Sequence, residues 1–533
     1  MRLWPLKRST PPAPKLQGMS MGQMVKAGRA FARGYDAARQ DRHTEGWYGD
    51  YGVNQWDIRH QLRIVRNRSR EMWKNDPYLH RWGAICRNNI IGADGIQLVM
   101  DVADWGRDSK TGEWTKRPDR MANEILQRDF DRWASKPGWV DAAGRKDLVM
   151  MEWAAVIDWH REGEALFRML PGFGYPENPF AFSLARIRPD SLALEYSVEN
   201  KDGTQVYNGV HVNSWGRTLG YWFYTVQLAT GLWSGDKVYI PADLIIHVYS
   251  EDYEGQTRGF PLVACVLRAI KMLYGYDEAE VIKARIQSMN VGTWQMRDGA
   301  TDPSEVADPE DEDTKAQFQQ TVEPGEARVA PRGYEYKEAP PTAPNSVYPP
   351  FHMELVRRIA GGLETAYHSL ANDPSNVNMN AGRLASLEDR ESWKVKQHMI
   401  QVLMMGPLFS SPRGWLSMYL SSGQSPLPFA KRARFDSATW RGRRWPAYDL
   451  NGEVAYNEWA VKHAVTTDTA LAAEAGEDRT ANLATVRQEM KDEDGTPIAD
   501  RFEGKTSLAK KTTAEAKDGN KAEHKPADKG DEK

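Results

Sequence analysis

Cysteine is almost missing from this sequence: two occur in 533 residues, Cys86 and Cys265. Neither belongs to a CxxC pair and no histidine cluster accompanies them, which argues against a zinc site or a disulfide framework and for a reducing compartment. Long hydrophobic runs are missing too. The longest apolar stretch in the best helical candidate, residues 262–267, ends at Arg268, far short of the roughly 18 residues a membrane span requires. The chain therefore reads as soluble, with no membrane partner. Charge of one sign is also lacking. Against 70 Lys and Arg stand 73 Asp and Glu, a formal net charge of −3, without the basic excess that marks many nucleic-acid binders. The first residues are basic, but Pro5, Pro11, Pro12 and Pro14 interrupt them and no apolar segment follows, so a mobile arm is expected there and not a secretory signal.

What is present is length, enough for roughly three structural units, and an uneven texture. Leu62, Val65, Met72 and Trp73, then Asp76 and Pro77 as cap and first residue, then Tyr78, Trp82, Ile85 and Ile90, predict two helices in tandem ending at Gly92. Residues 165–250 change to short alternating or aromatic runs broken by Gly and Pro, a strand-rich block whose last member is 244–249. Pro261 then opens a predicted rod reaching Met289.

The next stretch, 298–313, carries eight acids and no Lys or Arg, and is expected to be solvated. A second rod has near-heptad apolar spacing through Met353, Val356, Ala360, Leu363, Tyr367 and Leu370, one seam for a partner helix. Residues 372–381 are rich in Asn and Ser without Lys or Arg, and a third helix follows to Gly406. Two short capped helices, 468–476 and 478–490, precede a charged tail to which no structure is assigned.

Catalytic chemistry is tested by elimination. Gly504, Lys505 and Thr506 imitate the end of a phosphate loop, but Ala499 stands where its first glycine belongs. No HExxH, GxSxG or strand-borne GxGxxG is present. Glu162 and Glu164 near His160 could serve acid–base or metal work, but the favoured reading is that they are exposed polar residues. No enzyme, cofactor or metal site is expected. The segment 431–446, KRARFDSATWRGRRWP, leaves two readings open. Arg441, Arg443 and Arg444 could neutralise phosphates beside Trp440 and Trp445. The favoured alternative pairs these arginines with acids of a neighbouring subunit and buries the tryptophans.

Several ordered blocks then carry a resemblance. They are Arg66-Asn67-Arg68 with Asn75-Asp76-Pro77-Tyr78, Asn88-Asn89-Ile90-Ile91-Gly92, and Ile187-Arg188-Pro189-Asp190 with Gly216-Arg217. Ile240-Pro241-Ala242-Asp243, His247, Gly255-Gln256-Thr257-Arg258-Gly259-Phe260-Pro261 and Gly442-Arg443-Arg444-Trp445-Pro446 complete the series. In order and spacing, about residues 35–490 resemble the lambda-type phage portal proteins.

The resemblance implies an α+β portal fold: a strand-rich wing with long antiparallel stem helices, a mixed clip and a helical crown, assembled as a dodecameric ring. It divides the chain into a basic flexible arm (1–45), the wing (46–258), a stem helix (259–290), the clip with its acidic insert (291–347) and a second stem helix (348–371). There follow a tunnel loop (372–381), a long bracing helix (382–405), a wing return segment (406–450), a helical crown (451–490) and a disordered tail (491–533). Asn372, Ser375, Asn376, Asn378 and Asn380 would face double-stranded DNA without sequence specificity. Arg441, Arg443 and Arg444 are structural or phosphate-contacting, and Met353, Val356, Leu363, Tyr367 and Leu370 form the stem seam. Implied partners are the terminase, which would supply the ATPase missing here, the capsid and scaffold proteins, and head-completion or tail adaptor proteins. Implied locations are the virion and, during assembly, the host cytoplasm. The competing class, a packaging ATPase or nuclease, lacks its motifs.

Overall fold

The first long helix shows how distant parts of the chain are tied together. In α1 (Gln55–Asn75) the buried positions are Ile58, Leu62, Arg66, Ser69 and Trp73, one stripe at helical spacing with an arginine in its middle. Asp76 caps α2 (Pro77–Cys86), accepting the Leu79 N–H at 2.8 Å with Pro77 at the first helical position. A wider turn, Arg87–Ile91, then ends at Gly92 in the left-handed region, φ +80°. This computed structural model describes residues 55–107, 114–172, 178–226, 233–289, 292–296, 334–338, 347–375, 378–445 and 450–468, with 471–472, 479 and 482–483. The basic arm, the acidic stretch 298–313, the charged tail and most of the two short helices expected after 468 lie outside the described residues.

Strands β1 (Gln97–Met100), β2 (Ala103–Arg107) and β3 (Trp114–Pro118) lead to α3 (Arg120–Ala134) and α4 (Leu148–Glu162). Gly163 closes α4 at φ +89°, where a Cβ would stand 2.3 Å from the Phe260 carbonyl carbon. Only glycine therefore lets the chain turn here against residues 259–261. Next come β4 (Glu164–Pro171) and β5 (Phe182–Ile187), then an antiparallel meander. Its strands are β6 (Val198–Glu199), β7 (Gln205–Tyr207), β8 (Val210–Val212), β9 (Thr218–Val226) and β10 (Trp233–Pro241). Finally β11 (Ile245–Tyr249) returns to β4, which sits between β11 and β5. The strand-rich texture of residues 165–250 is this pair of sheets.

The first rod, α5, runs Leu267–Met289 and not from Pro261. Residues 261–266 form tight turns instead: the Ala264 N–H reaches the Pro261 carbonyl and the Val266 N–H the Val263 carbonyl, each three residues back. Strands β12 (Gly292–Met296) and β13 (Tyr334–Glu338) pair antiparallel beyond it. The second rod is not one helix either. α6 (Tyr348–Gly362) stops at Gly361-Gly362, Glu364 adopts φ +52°, and a separate turn, α7 (Tyr367–Ala371), follows. The heptad pattern concealed this break because Leu363 and Tyr367 remain in phase across it, while the paired glycines end the helix. The rods pack antiparallel. Gly362 meets Val266 at one end, where a Cβ would come within 2.5 Å of Val266 Cγ1. Farther out Tyr276 stacks on Tyr348 at 5.6 Å, and Tyr348 Oη donates to Asp277 at 2.9 Å.

α8 begins at Met379, three residues earlier than expected, continues to Ile400 and loosens into a wider turn over Gln401–Met405. After α9 (Trp415–Ser421), strand β14 (Ala438–Arg441) pairs antiparallel with β1, setting Trp440 opposite Leu98. α10 spans Leu450–Lys462. The main core joins these pieces through aromatic side chains. Phe130 lies edge-on to Trp415 at 5.0 Å, Trp415 stacks on Tyr419 at 4.8 Å, and Phe409 lies between Phe130 and Trp440. A smaller core under the meander holds Leu166, Leu192, Val210, Tyr221, Phe223 and Ile240.

Candidate nucleic-acid interface

The polar segment after α7 is held at both ends. Its root is Asn372, which adopts φ +55° as the cap of α7 and accepts a hydrogen bond at 3.0 Å from Arg81 of α2, whose Nε also donates to the Ser369 carbonyl at 2.8 Å. Asp373 accepts the Ser375 N–H at 3.0 Å and the Tyr367 hydroxyl at 3.2 Å, an Asx turn. At the far end Asn378 caps α8, accepting the Asn380 N–H at 3.2 Å, and its carbonyl takes the Gly382 N–H. Asn372, Ser375, Asn378 and Asn380 are exposed, and so is Met379, at 87%. Asn376 lies outside the described residues. The loop is shorter than the sequence implied, since residues 379–381 are already helix. Its surroundings are also more basic: Arg81, 291 positions from Asn372, adds a guanidinium that no reading of the loop alone could find.

The break between α6 and α7 anchors that loop. Trp82 donates its indole N–H to the Leu363 carbonyl at 3.1 Å, and Asp389 of α8 receives the Ala366 N–H at 3.0 Å. Lys396 reaches Glu364 at 2.9 Å. Of the expected seam, Val356, Leu363 and Leu370 are buried inside the subunit, and Met353 and Tyr367 are half-buried. The seam therefore serves the subunit's own core.

The basic–aromatic segment divides. Both tryptophans pack inward: Trp440 against Phe130 at 5.8 Å, and Trp445 against Trp393 at 5.7 Å while donating to the Asn89 side chain at 3.0 Å. Arg441, Arg443 and Arg444 line one open cavity of about 750 Å³ together with Arg87, Asn88 and Trp153. Arg443 donates to the Asn88 carbonyl, and Arg87 lies over the Trp153 ring at 5.6 Å.

Sequence reasoning named part of a second cluster but misjudged its burial and missed its partners. Glu162, Glu164 and His160, expected to be exposed, are all buried. Glu164 is clasped by Arg258, whose Nε lies 3.0 and 2.9 Å from its two oxygens, by Arg66 at 3.1 Å and by His247 Nε2 at 3.1 Å. Burial alone would push the Glu164 carboxyl up, but Arg258 and Arg66 overcome it and hold the group well below the usual carboxylate range. Burial likewise keeps His247 below its ordinary value, so a neutral imidazole hydrogen-bonds the carboxylate. Arg258 also donates to the carbonyls of Leu192, Asn208 and Pro189. The cluster thereby ties α1, β4, the meander and the segment leading to α5 into one piece. The available signal was the phase of Arg66 and Ser69 on the apolar stripe of α1.

Every carboxylate in this cluster is matched by a guanidinium. Among the described residues no group of His, Cys, Asp or Glu is placed to hold a metal ion, and no helix is long and apolar enough to cross a membrane.

Comparison with known proteins fits a structural role. The family described as phage portal protein, lambda family, matches residues 40–397. A probable portal protein of Halomonas phage phiHAP-1 is 25% identical over 458 residues, covering 84% of this chain and 83% of that protein. Among solved structures, a chain of the neck of an empty GTA particle, computed with C6 symmetry, aligns with TM-score 0.42 and 13% identity over 78% of this chain and 94% of its own. A chain of the virion of a native gene transfer agent particle aligns with TM-score 0.40 and 12% identity, over 85% and 99%. The class defined by the family match is the phage portal protein. This chain belongs to the lambda family of those proteins, and its place is the portal vertex of a virion, where head and tail connect.

Proposed function

We propose that the chain works as a dodecameric ring whose channel passes double-stranded DNA, with the polar segment 372–378 turned towards the duplex. The observation that carries this reading is the construction of that segment: amides and a hydroxyl, with the Asp373 carboxylate turned to Ser375 and Tyr367, between Arg81 at one end and the cap of α8 at the other. Neutral groups touch phosphates without releasing many counterions, so contact stays weak and DNA slides. A second support is exposed apolar surface on the first rod and on the helix after the loop: Met272, Val281 and Ile282 on α5, and Leu384, Leu387 and Val395 on α8. Neighbouring subunits would cover it.

In this reading residues 259–290 and 348–371 are the stem, the paired strands β12 and β13 belong to the clip, and residues 451–490 form the crown. The ring is no enzyme. A terminase docked at the clip supplies the work of packaging, while capsid, scaffold and head-completion or tail adaptor proteins engage the remaining surfaces, first in the host cytoplasm and then in the virion. Negative-stain microscopy and native mass measurement of the purified protein test the reading. A wide ring with a central hole is expected, without ATP hydrolysis of its own; a stable monomer, or ATP turnover by pure rings, would overturn it.

A further inference from the structure

A second charged feature lies away from the loop. The end of α1, residues 141–146, the last turns of α4 and residues 185–190 enclose an open cleft of about 1090 Å³. Its acids are already matched. Asp158 accepts from Arg186 at 2.6 Å and Arg161 at 3.1 Å. Glu162 accepts from Arg70 at 2.7 Å and Arg161 at 2.8 Å, and Asp190 pairs with Arg70 at 2.6 Å. Asp141, buried, takes the backbone N–H groups of Ala143 and Arg145. Four further cations line the same cleft: Lys74, Arg145, Lys146 and Arg188. Among the described residues none of these four has a side-chain partner, and Lys74, Arg145 and Arg188 are exposed. Unmatched cations gathered around a concavity repel one another, which is tolerated in water and relieved when an anion enters.

We propose that this cleft docks an acidic polypeptide segment of a partner protein, whose carboxylates take the four unmatched cations. Two features favour a peptide over nucleic acid. The cleft is a recess of peptide dimensions, whereas a duplex presents its phosphates on a convex surface. Its floor also alternates sign. A phosphate backbone, with one charge per roughly 1.7 Å of duplex axis, would meet Asp158, Glu162 and Asp190 as well as the cations. A peptide brings spaced carboxylates for the cations and backbone N–H groups for the half-buried Asp190. The cleft also adjoins the buried cluster, because Arg70 and Asp190 belong to both. An occupant would thus rest on the most tightly tied part of the wing.

The test uses the full chain and a short fluorescein-labelled peptide with glutamate at every third position, with its glutamine counterpart as control and a short DNA duplex as competitor. The acidic peptide is expected to bind at low salt and the glutamine peptide not to. Arg145→Glu with Lys146→Glu should weaken binding about tenfold or more, and the milder pair Lys74→Gln with Arg188→Gln should weaken it in the same direction, both with unchanged melting temperatures. Equal affinity of the wild type and both double variants, no binding of the acidic peptide, or duplex DNA binding at these residues in its place would overturn the proposal. Mass measurement on the same samples keeps this separate from ring formation: variants that assemble normally yet lose the peptide support the cleft.

Discussion

Arg258 grips both oxygens of Glu164, 94 positions earlier in the chain, and neither side chain has exposed surface. The pair works as a peg between the loop before α5 and β4, the central strand of its three-stranded sheet. Removing the cation leaves a buried carboxylate with Arg66 and a neutral histidine, so Arg258→Met should cost about 3–5 kcal/mol, read as a lower urea midpoint. The pH dependence has a definite sign. Because the folded carboxyl sits well below its unfolded value of about 4.3, its stabilisation is complete above that value and is lost as pH falls through the folded one. Glu164→Gln should therefore flatten the acid side of the melting curve below about pH 4.

Glu152 behaves in the opposite way. Burial pushes its carboxyl up to about 8, against one hydrogen bond from the Ile96 N–H, and its other oxygen has no partner. The fold favours the protonated form, so this contribution is present at low pH and lost as pH rises from about 4.3 towards 8. Glu152→Gln, neutral throughout, should gain in melting temperature over the wild type across that window and hold a constant advantage above it. A difference independent of pH would show that Glu152 is ionised in the fold.

Placing charge on the loop tests its relation to DNA. Asn380 is exposed in the first turn of α8, while the cap is made by Asn378, so Asn380→Lys adds a cation without removing the cap. The salt dependence of DNA association should steepen, and packaging or retention of DNA should suffer. An unchanged slope with normal packaging would take this loop away from the duplex.

The rods separate folding from assembly. Leu363 is 2% exposed and lies beside Trp82, so Leu363→Asp should unfold the subunit and not merely disturb the ring. Leu384, 69% exposed on α8, is the proper probe of assembly. Leu384→Asp should leave the subunit's melting nearly unchanged and yield particles of lower mass; normal rings would show that this face of α8 is not an interface.

Local chemistry was the legible part of the sequence. Asp76-Pro77 announced a capped helix, the alternation of residues 165–250 announced strands, and the rods announced themselves by spacing. What stayed hidden was what only long-range contact creates. The break at Glu364 is fastened by Asp389 and Trp82, each distant in sequence, and a heptad count runs straight through it. Glu162 and Glu164 read as exposed because carboxylates usually are; Arg66 and Arg258, which make their burial tolerable, come from other elements. Trp440 and Trp445 pack inward, as the favoured reading expected, since aromatic area seeks the core, while Arg441, Arg443 and Arg444 beside them line an open cavity.

The unequal length of the rods has a thermodynamic consequence. Helix α5 continues past Tyr276 to Met289, while α6 starts opposite it at Tyr348, so the outer half of α5 has no helix beside it among the described residues. Val281 and Ile282 on that half stand about half exposed, at 55% and 48%. In the proposed ring a helix left this way would draw its last stabilisation from association, and association obeys mass action. The melting temperature of this part of the molecule should consequently climb with protein concentration, while the part closed around Glu164 melts at a temperature that dilution leaves alone.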